Sequence, residues 1–172
     1  INGSGILRGS KGTLYEGGIR AAMVARWPGK IPPGKVANHI CSSQDMMATF
    51  AELAGASLEK HTDGISIVPT LLDKNIQKKH EYLYWELKQA RAVRMRNYKA
   101  VKAKAGIELF DLKTDPSEKK NIAANYPDII GQVRRIMTDA HEESGFFNWK
   151  YEGPGAKDLA IKAEKNRRSP RR

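Results

Sequence analysis

The sequence of 172 residues contains one cysteine, Cys41, which excludes a small fold held together by disulfides. It contains no uninterrupted apolar run near the roughly 18 residues of a membrane-spanning helix, which excludes a protein that crosses a membrane by helices. It begins with neither an initiator Met nor the basic and apolar regions of a secretory signal. We therefore expect Ile1 to be a cut end, and composition alone assigns no compartment.

The residues that are present predict a folded, basic protein. Hydrophobic residues make up 40% of the chain and include three Trp, six Tyr and four Phe, which is enough apolar material for a core and argues against disorder throughout. Thirty Lys and Arg face 19 Asp and Glu, a formal net charge of +11. That excess raises nucleic-acid binding as a hypothesis, which depends on where the charge lies.

The first half of the sequence predicts part of a layered α/β domain. Its nearly continuous apolar run Ile19–Trp27 predicts a strand buried on both faces, and Val36–Ile40 predicts a short second strand. A helix is expected over Gln44–Ala54, with a serine just before it as N-cap and Gly55 after its end. Apolar residues recurring at helical spacing predict one packed face: Met46, Met47, Phe50, Leu53 and Ala54.

The second half predicts a small antiparallel α+β unit. A helix that starts at Pro127 and reaches about His141 would cover one side of a sheet with its apolar face. From about Tyr151 the chain is rich in Gly, Pro, Lys and Arg, which predicts a disordered basic tail. Four segments rich in aromatic and β-branched residues predict the strands of a meander: Tyr82–Leu87, Ala92–Met95, Tyr98–Lys102 and Glu108–Leu112.

The glycine-rich segment Leu7–Arg20 is the densest chemical clue. Gly9 and Gly12 flank Lys11 and allow the backbone to approach a ligand closely, so an anion such as phosphate or sulfate is the natural ligand. The segment is not a P-loop, because Ser10 precedes Lys11 instead of following it. A glycine-rich turn that merely ends in solvated charges is the alternative.

A second cluster of positive charge lies in the predicted meander. Lys88–Lys104 contains seven cations and no acid. We expect this hairpin to present a solvated face, or one that attracts a polysulfated substrate. Nucleic-acid binding is the rival hypothesis, although only Tyr98 offers an aromatic for base stacking there.

Blocks of sequence from Leu7 to about Ile136 occur in the same order as in one known family. The string Leu-Arg-Gly-Ser-Lys-Gly-Thr-Leu-Tyr-Glu-Gly-Gly-Ile-Arg (Leu7–Arg20), followed by Val24–Ile31, resembles the segment that type I sulfatases of the arylsulfatase A family carry after a metal-binding Asp-Asn-Gly. Further blocks are similar to that family: Asp45–Gly55, Asp63–Ser66, Pro69–Leu72, Ala92–Lys99, Glu108–Leu112 and Asp115–Glu118.

The resemblance implies an alkaline-phosphatase-like α/β fold, here the end of the large α/β domain plus a small antiparallel α+β C-terminal subdomain. Residues 1–75 would be the C-terminal part of the catalytic domain, 76–150 the sheet-plus-helix subdomain, and 151–172 the tail. It also implies hydrolysis of an aryl or carbohydrate sulfate by a formylglycine nucleophile made from Cys or Ser. Calcium and several cations would bind the sulfate.

The resemblance assigns a role to Lys11. It matches the family lysine that holds a sulfate oxygen beside the ester, so Lys11 is the candidate catalytic and substrate-binding residue. Arg8 and Glu16 are expected to shape the loop, with Glu16 bonding backbone amides, and Arg20 to form an ion pair in the buried strand. No metal ligand is assigned, because the family's metal-binding aspartates would lie upstream of Ile1.

Cys41 departs from the family pattern. Its context, Cys-Ser-Ser-Gln-Asp, lacks the Pro or Ala and the Arg of the formylglycine motif, so a buried, inert thiol is expected. The nucleophile would then lie upstream, and the upstream part of the sulfatase domain would be the partner of this chain, which alone is expected to be inactive. The family suggests a periplasmic, secreted or lysosomal protein. A noncatalytic remnant or accessory module is the alternative.

Overall fold

The computed structural model describes residues 4–58, 62–103 and 105–142. These residues form two compact units: one contains 4–20 together with the described residues from Tyr84 onward, and the other is Ala21–Leu83. These two units do not coincide with the domain boundary at residue 75 that the resemblance implies. That boundary stays a prediction about the whole protein. Within the described residues, no helix is both long and apolar enough to cross a membrane. The predicted tail, 151–172, lies outside the described residues.

The first unit is built on a four-stranded antiparallel sheet, as the sequence predicts. Its strands are β1 (Leu83–Leu87), β2 (Ala90–Met95), β3 (Tyr98–Ala103) and β4 (Gly106–Asp111), and they neighbour one another in chain order. Arg96 and Asn97 form the two-residue turn between β2 and β3, with Arg96 at a φ of 55°. The register places Val93 opposite Ala100 and Ala100 opposite Leu109, so these three side chains share one face.

A single long helix covers that face. A short 3-10 helix, Ala123–Asn125, leads into helix α4 (Pro127–Asp139), which begins at a proline as expected because the first turn of a helix needs no amide donor there. Val133 and Met137 of α4 are buried against the sheet. The predicted apolar face of the helix is therefore confirmed as the cover of one side of the sheet.

The glycine-rich segment covers the opposite face. It contains the short helix α1 (Glu16–Ile19), and Leu14 just before α1 is buried against Ala92 and Val101 of β2 and β3. Because successive strand residues point to opposite faces, Ala92 and Val101 lie behind the core that α4 covers. The sheet is thus covered on both sides.

The second unit contains helix α2 (Asp45–Ala54) and the short helix α3 (Val68–Leu71). The expected serine N-cap is wrong: the carboxylate of Asp45 instead accepts the amide hydrogen of Ser42 at 2.7 Å. The expected end is confirmed, since Gly55 is left-handed with a φ of 67°. Two residues of α2 bind the following loop, with Asp45 accepting the Ile65 amide hydrogen and Thr49 that of Ile67.

The apolar face predicted for α2 is not its buried face. Met47, Phe50 and Leu53 expose 66%, 63% and 42% of their surface, whereas the residues that the helix buries are Asp45, Ala48 and Thr49. Periodicity correctly indicates a helix, but it does not tell which partner covers the apolar side. Within the described residues, the polar side carries the hydrogen bonds.

Two predicted strands are absent from the structure. Ile19 ends α1, and the rest of the run Ile19–Trp27 has no regular structure, with Val24 exposing 94% of its surface. Val36–Ile40 likewise forms no strand. A strand buried on both faces needs a hydrogen-bonded neighbour and a layer on each side. All four described strands lie between Leu83 and Asp111, so neither run has a partner strand among the described residues.

The core beneath α4 predicts a large cost for truncation. Leu109→Ala removes a fully buried side chain, so we expect the free energy of unfolding to fall by about 2–5 kcal/mol. Leu87→Ala in the same sheet is the control, because Leu87 is 37% exposed and its loss should cost less than about 1 kcal/mol. Urea unfolding of the two variants compares them. Equal losses would contradict this assignment of the core.

Candidate functional site

Lys11 occupies the corner of a tight turn. The Thr13 amide hydrogen bonds the Ser10 carbonyl at 3.1 Å, and Gly12 in the third position has a φ of 89°. This combination is a type II turn, whose third position favours glycine because its φ is positive. The Thr13 hydroxyl also donates to the Ser10 carbonyl at 2.8 Å. Lys11 is exposed and makes no hydrogen bond or ion pair with another described residue, so its ammonium is free to meet a ligand.

The turn rests on two glycines at the start of α1. A Cβ on Gly18 would lie 2.7 Å from the Ser10 carbonyl oxygen, and a Cβ on Gly17 would lie 2.6 Å from that of Arg8. The Gly17 amide also donates to the Arg8 carbonyl at 2.8 Å. Glycine is therefore required where the turn packs against α1. The pair of glycines holds the Lys11 turn by backbone contact.

Arg8 and Tyr15 fix the two ends of the loop on β4. The Arg8 guanidinium lies 3.9 Å from the centre of the Tyr15 ring, and it donates to the Glu118 carbonyl at 3.1 Å and to the Glu108 carboxylate at 3.5 Å. The Tyr15 hydroxyl donates to the other oxygen of Glu108. Burial, followed by the hydrogen bond to Glu108, raises the pKa of Tyr15 from 10.0 to about 12. Arg8 thus shapes the loop, in agreement with its expected role.

Glu16 lies in a buried ionic cluster with two cations of the sheet. Lys99 donates to one carboxylate oxygen at 2.9 Å and Arg94 donates to the other at 3.3 Å. Lys99 has no exposed surface and Glu16 exposes 2%. The Lys99 ammonium also lies 5.5 Å from the centre of the Trp85 ring. Removing one partner of such a pair leaves an unpaired buried charge, which typically costs about 3–5 kcal/mol.

Glu118 completes the buried cluster. One of its carboxylate oxygens accepts the amide hydrogen of Glu16 at 2.7 Å, and the other lies 3.8 Å from the Lys99 ammonium and accepts no hydrogen bond from a described residue. Burial raises the pKa of Glu118, while the Glu16 amide and the Lys99 charge oppose that rise. The amide at the start of α1 is therefore bonded by Glu118. The carboxylate of Glu16, expected to bond amides of the glycine turns, instead accepts from Lys99 and Arg94.

Part of the cationic hairpin is buried instead of forming the solvated face expected from the sequence, although Lys88 and Arg96 are exposed. Lys99 and Arg94 pair with Glu16, and Arg91 is buried, donating to the Met137 carbonyl and to Glu86. Three of the seven cations counted between Lys88 and Lys104 therefore stabilise the first unit internally. The ion pair expected for Arg20 is also absent among the described residues, because Arg20 follows α1 as an exposed residue instead of lying in a buried strand.

Sequence reasoning missed the residues beneath the Lys11 turn: Lys99, Glu118 and Glu108. One signal was available, because alternation places Lys99 on the same face as Val101, and a lysine on an otherwise apolar face needs an acidic partner. The partner could not be named from sequence, since Glu16 lies 83 residues away.

The described residues do not fit a metal site. No three His, Cys, Asp or Glu side chains among them are arranged to hold a metal ion. Burial, with the nearby Asp45 charge, raises the pKa of the half-buried Cys41 thiol, which keeps it protonated. His80 bonds Asp45 at 2.8 Å and His141 bonds Glu86 at 2.8 Å, while His61 lies outside the described residues.

The contact of Gly18 with the turn predicts that alanine is not tolerated there. Gly18→Ala places a Cβ 2.7 Å from the Ser10 carbonyl, so we expect a loss of about 1–3 kcal/mol in unfolding free energy and faster hydrogen exchange at Gly9–Gly18. Gly131→Ala in α4 is the matched control, because its Cβ meets nothing within 4 Å and a helix gains up to about 1 kcal/mol from this change. A Gly18→Ala protein as stable as Gly131→Ala would contradict the packing described.

The raised pKa of Tyr15 predicts a loss of stability at alkaline pH. Folded Tyr15 holds its proton to about pH 12, whereas an unfolded tyrosine releases it near 10.0. The folded state thus binds more protons between these values, and this contribution is present below pH 10 and lost as pH rises toward 12. Urea midpoints measured across this range should fall less steeply for Tyr15→Phe, whereas Tyr82→Phe at the surface should keep the slope. Identical slopes for Tyr15→Phe and the unaltered protein would refute the assignment.

The sequence is similar to known proteins of one family. The family model described as N-sulphoglucosamine sulphohydrolase, C-terminal, matches residues 10–143. Arylsulfatase A of Bos taurus is 39% identical over 120 residues, which cover 66% of this chain and 24% of the relative. This chain thus spans about a quarter of the length of the curated relative.

Solved structures show the same fold. The crystal structure of Ps i-CgsB superposes with a TM-score of 0.70 at 29% identity, covering 95% of this chain and 39% of the other. A Bacteroides thetaiotaomicron chain, solved in work on the metabolism of multiple glycosaminoglycans, superposes with a TM-score of 0.69 at 28% identity, covering 79% and 32%. The α/β, alkaline-phosphatase-like fold class expected from the sequence is confirmed. Because the family model covers residues 10–143, most of the sequence, the chain belongs to the sulfatase family that this C-terminal model describes.

Proposed function

We propose that the protein to which this chain contributes hydrolyses sulfuric ester bonds, and that Lys11 binds the sulfate. The observation that carries this proposal is the free Lys11 ammonium on a turn fixed from beneath by a buried ionic cluster. A preorganised cation costs little reorganisation when negative charge develops beside it. An ammonium is a compact donor that can follow a sulfate oxygen as the ester bond breaks.

The role of this chain's residues is to present that charge. Lys11 would donate to the sulfate oxygen nearest the ester, which offsets the negative charge that grows on the leaving oxygen. Open space lies where a Cβ on Gly12 would project, so a ligand can approach the backbone beside Lys11 there, whereas the same position at Gly9 is filled by Thr13. In the family a formylglycine supplies the nucleophile and Ca²⁺ binds the sulfate. Neither group is supplied by the described residues, so both would belong to the upstream part of the sulfatase domain.

The proposed substrate is an aryl sulfate or a sulfated glycan. Arylsulfatase A of Bos taurus is similar to this chain over 120 residues, and a structural neighbour comes from work on glycosaminoglycan metabolism. Nucleic acid is not the proposed ligand, because Arg94 and Lys99 of the cationic hairpin are already paired with the buried Glu16.

The upstream part of a sulfatase domain is the proposed partner of the second unit. The apolar side of α2 exposes Met47, Phe50 and Leu53, and exposed apolar side chains of this size favour burial against another surface. Val24 and Trp27 add to the apolar surface of the same unit. Such residues would be the core positions of a larger α/β domain. The boundaries 1–75 and 76–150 belong to this proposal.

A hybrid enzyme tests the role of Lys11. This chain replaces the matching region of bovine arylsulfatase A, and turnover of an aryl sulfate is measured with Ca²⁺ present. We expect Lys11→Ala to lower kcat about 10²–10³-fold, because it removes one donor to developing charge. Lys113→Ala, an exposed lysine of the same unit, should stay within about twofold.

The unfused chain is measured beside the hybrid and should show no turnover. If Lys11→Ala left an active hybrid unchanged, Lys11 would not be the sulfate ligand. Turnover by the unfused chain that disappears with Lys11→Ala would show that its nucleophile had been misjudged. A folded hybrid without turnover would favour the alternative, a noncatalytic remnant.

A further inference from the structure

The Lys11 turn is connected to the sheet through a short series of contacts. Its Ser10 carbonyl and the Arg8 carbonyl press on Gly18 and Gly17, where no Cβ fits. These glycines directly follow Glu16, whose side chain and amide are both held from below. A displacement of Glu16 would therefore move the surface on which the turn rests.

The Lys99 ammonium that pairs with Glu16 has no access to water. Lys99 is fully buried, and its ammonium lies 2.9 Å from Glu16 and 3.8 Å from Glu118. A buried ammonium is tolerated only when acids pair with it, so Lys99, Glu16 and Glu118 must keep their mutual positions. Arg94 contacts Glu16 at a longer distance, 3.3 Å, and its side chain is 21% exposed. Lys99 is thus the principal electrostatic contact of α1 with the sheet.

We propose that Lys99 is a positioning residue for Lys11: by fixing Glu16 against β3, it sets the place of the glycine pair and hence of the Lys11 turn. This inference rests on the proposed function of Lys11 as a sulfate ligand. It adds a residue that does not touch the substrate and acts only through the turn. Glu118 assists by accepting the Glu16 amide hydrogen.

Lys99→Met is the first variant, because methionine keeps the unbranched apolar body of the side chain and lacks only the charged terminal group. In the 172-residue chain, hydrogen exchange of the amides of Gly9–Gly18 should become about tenfold faster or more, as the loop opens locally. The amides of Leu109 and Val133, in the core under α4, should keep their rates. Lys113→Met is the matched control and should change neither set.

The second measurement is a double-mutant cycle in the hybrid enzyme. Lys99→Met alone should lower kcat about 10-fold or more, with a smaller change in KM. Because Lys99 acts through Lys11, adding Lys99→Met to Lys11→Ala should cause almost no further loss. Independent roles would instead make the two losses multiply.

Each outcome decides one of the two proposals. Unchanged exchange at Gly9–Gly18 in Lys99→Met, or losses that multiply in the cycle, would overturn the positioning role. If Lys11→Ala alone left kcat unchanged, the proposed function would fail, while the exchange measurement would still decide whether Lys99 holds the turn. Should Lys99→Met not fold, Glu16→Gln removes the partner charge with its shape kept and must show the same exchange pattern. Global unfolding of both variants would overturn positioning in favour of a structural role.

Discussion

The first unit depends on an ammonium group that is closed off from water. Lys99 is the second residue of β3 and has no exposed surface, and its charge is compensated by Glu16 and Glu118. Neither acid belongs to the sheet: one begins α1 and the other follows β4. A lysine in this place is unfavourable until both acids have arrived. The pairing therefore couples three distant parts of the chain, so the loop and the sheet must form together.

The two faces of the sheet are held to their covering segments by different interactions. Between α4 and the sheet, apolar side chains such as Val93, Leu109 and Val133 are buried, and this favours folding without directional requirements. Under the glycine-rich segment, the row formed by Arg94, Lys99 and Phe110 meets a carboxylate and an aromatic ring. Ion pairs and hydrogen bonds have narrow geometry, so this face specifies position. A functional turn is better placed on the second face than on the first.

Sequence alone predicted the parts of the fold that depend on local pattern. The four strands, the turn at Arg96 and the proline-led helix α4 follow from alternation, turn chemistry and helical spacing, and the structure confirms them. Prediction from sequence failed where a segment's structure depends on another segment that packs against it. The run Ile19–Trp27 has the composition of a buried strand, yet strand formation requires hydrogen bonds from a neighbour that the described residues do not provide. The apolar spacing of α2 likewise indicated a helix, but it did not show which side of the helix is buried within the described residues.

The candidate site shows the same limit in another form. Lys11 could be found from the glycine-rich string and its resemblance to sulfatases, because the string is contiguous. Its support could not, because Glu16 and Lys99 are 83 residues apart and meet only through the sheet. The charge pattern alone suggested that the hairpin cations face water. The structure instead pairs Arg91, Arg94 and Lys99 with acids of other segments, while Lys88 and Arg96 do face water.

The contact between the glycine pair and the Lys11 turn also bears on how this segment can vary through inheritance. Every glycine codon begins with two guanines, and any single-base change at either of them encodes a residue with a Cβ or a stop. At Gly17 and Gly18 such a Cβ meets backbone carbonyls, which cannot move aside as a flexible side chain can. Changes at the first two bases of these codons should thus destabilise the turn, whereas changes at the third base are silent. The turn that presents Lys11 can pack against α1 only because two residues there have no side chain.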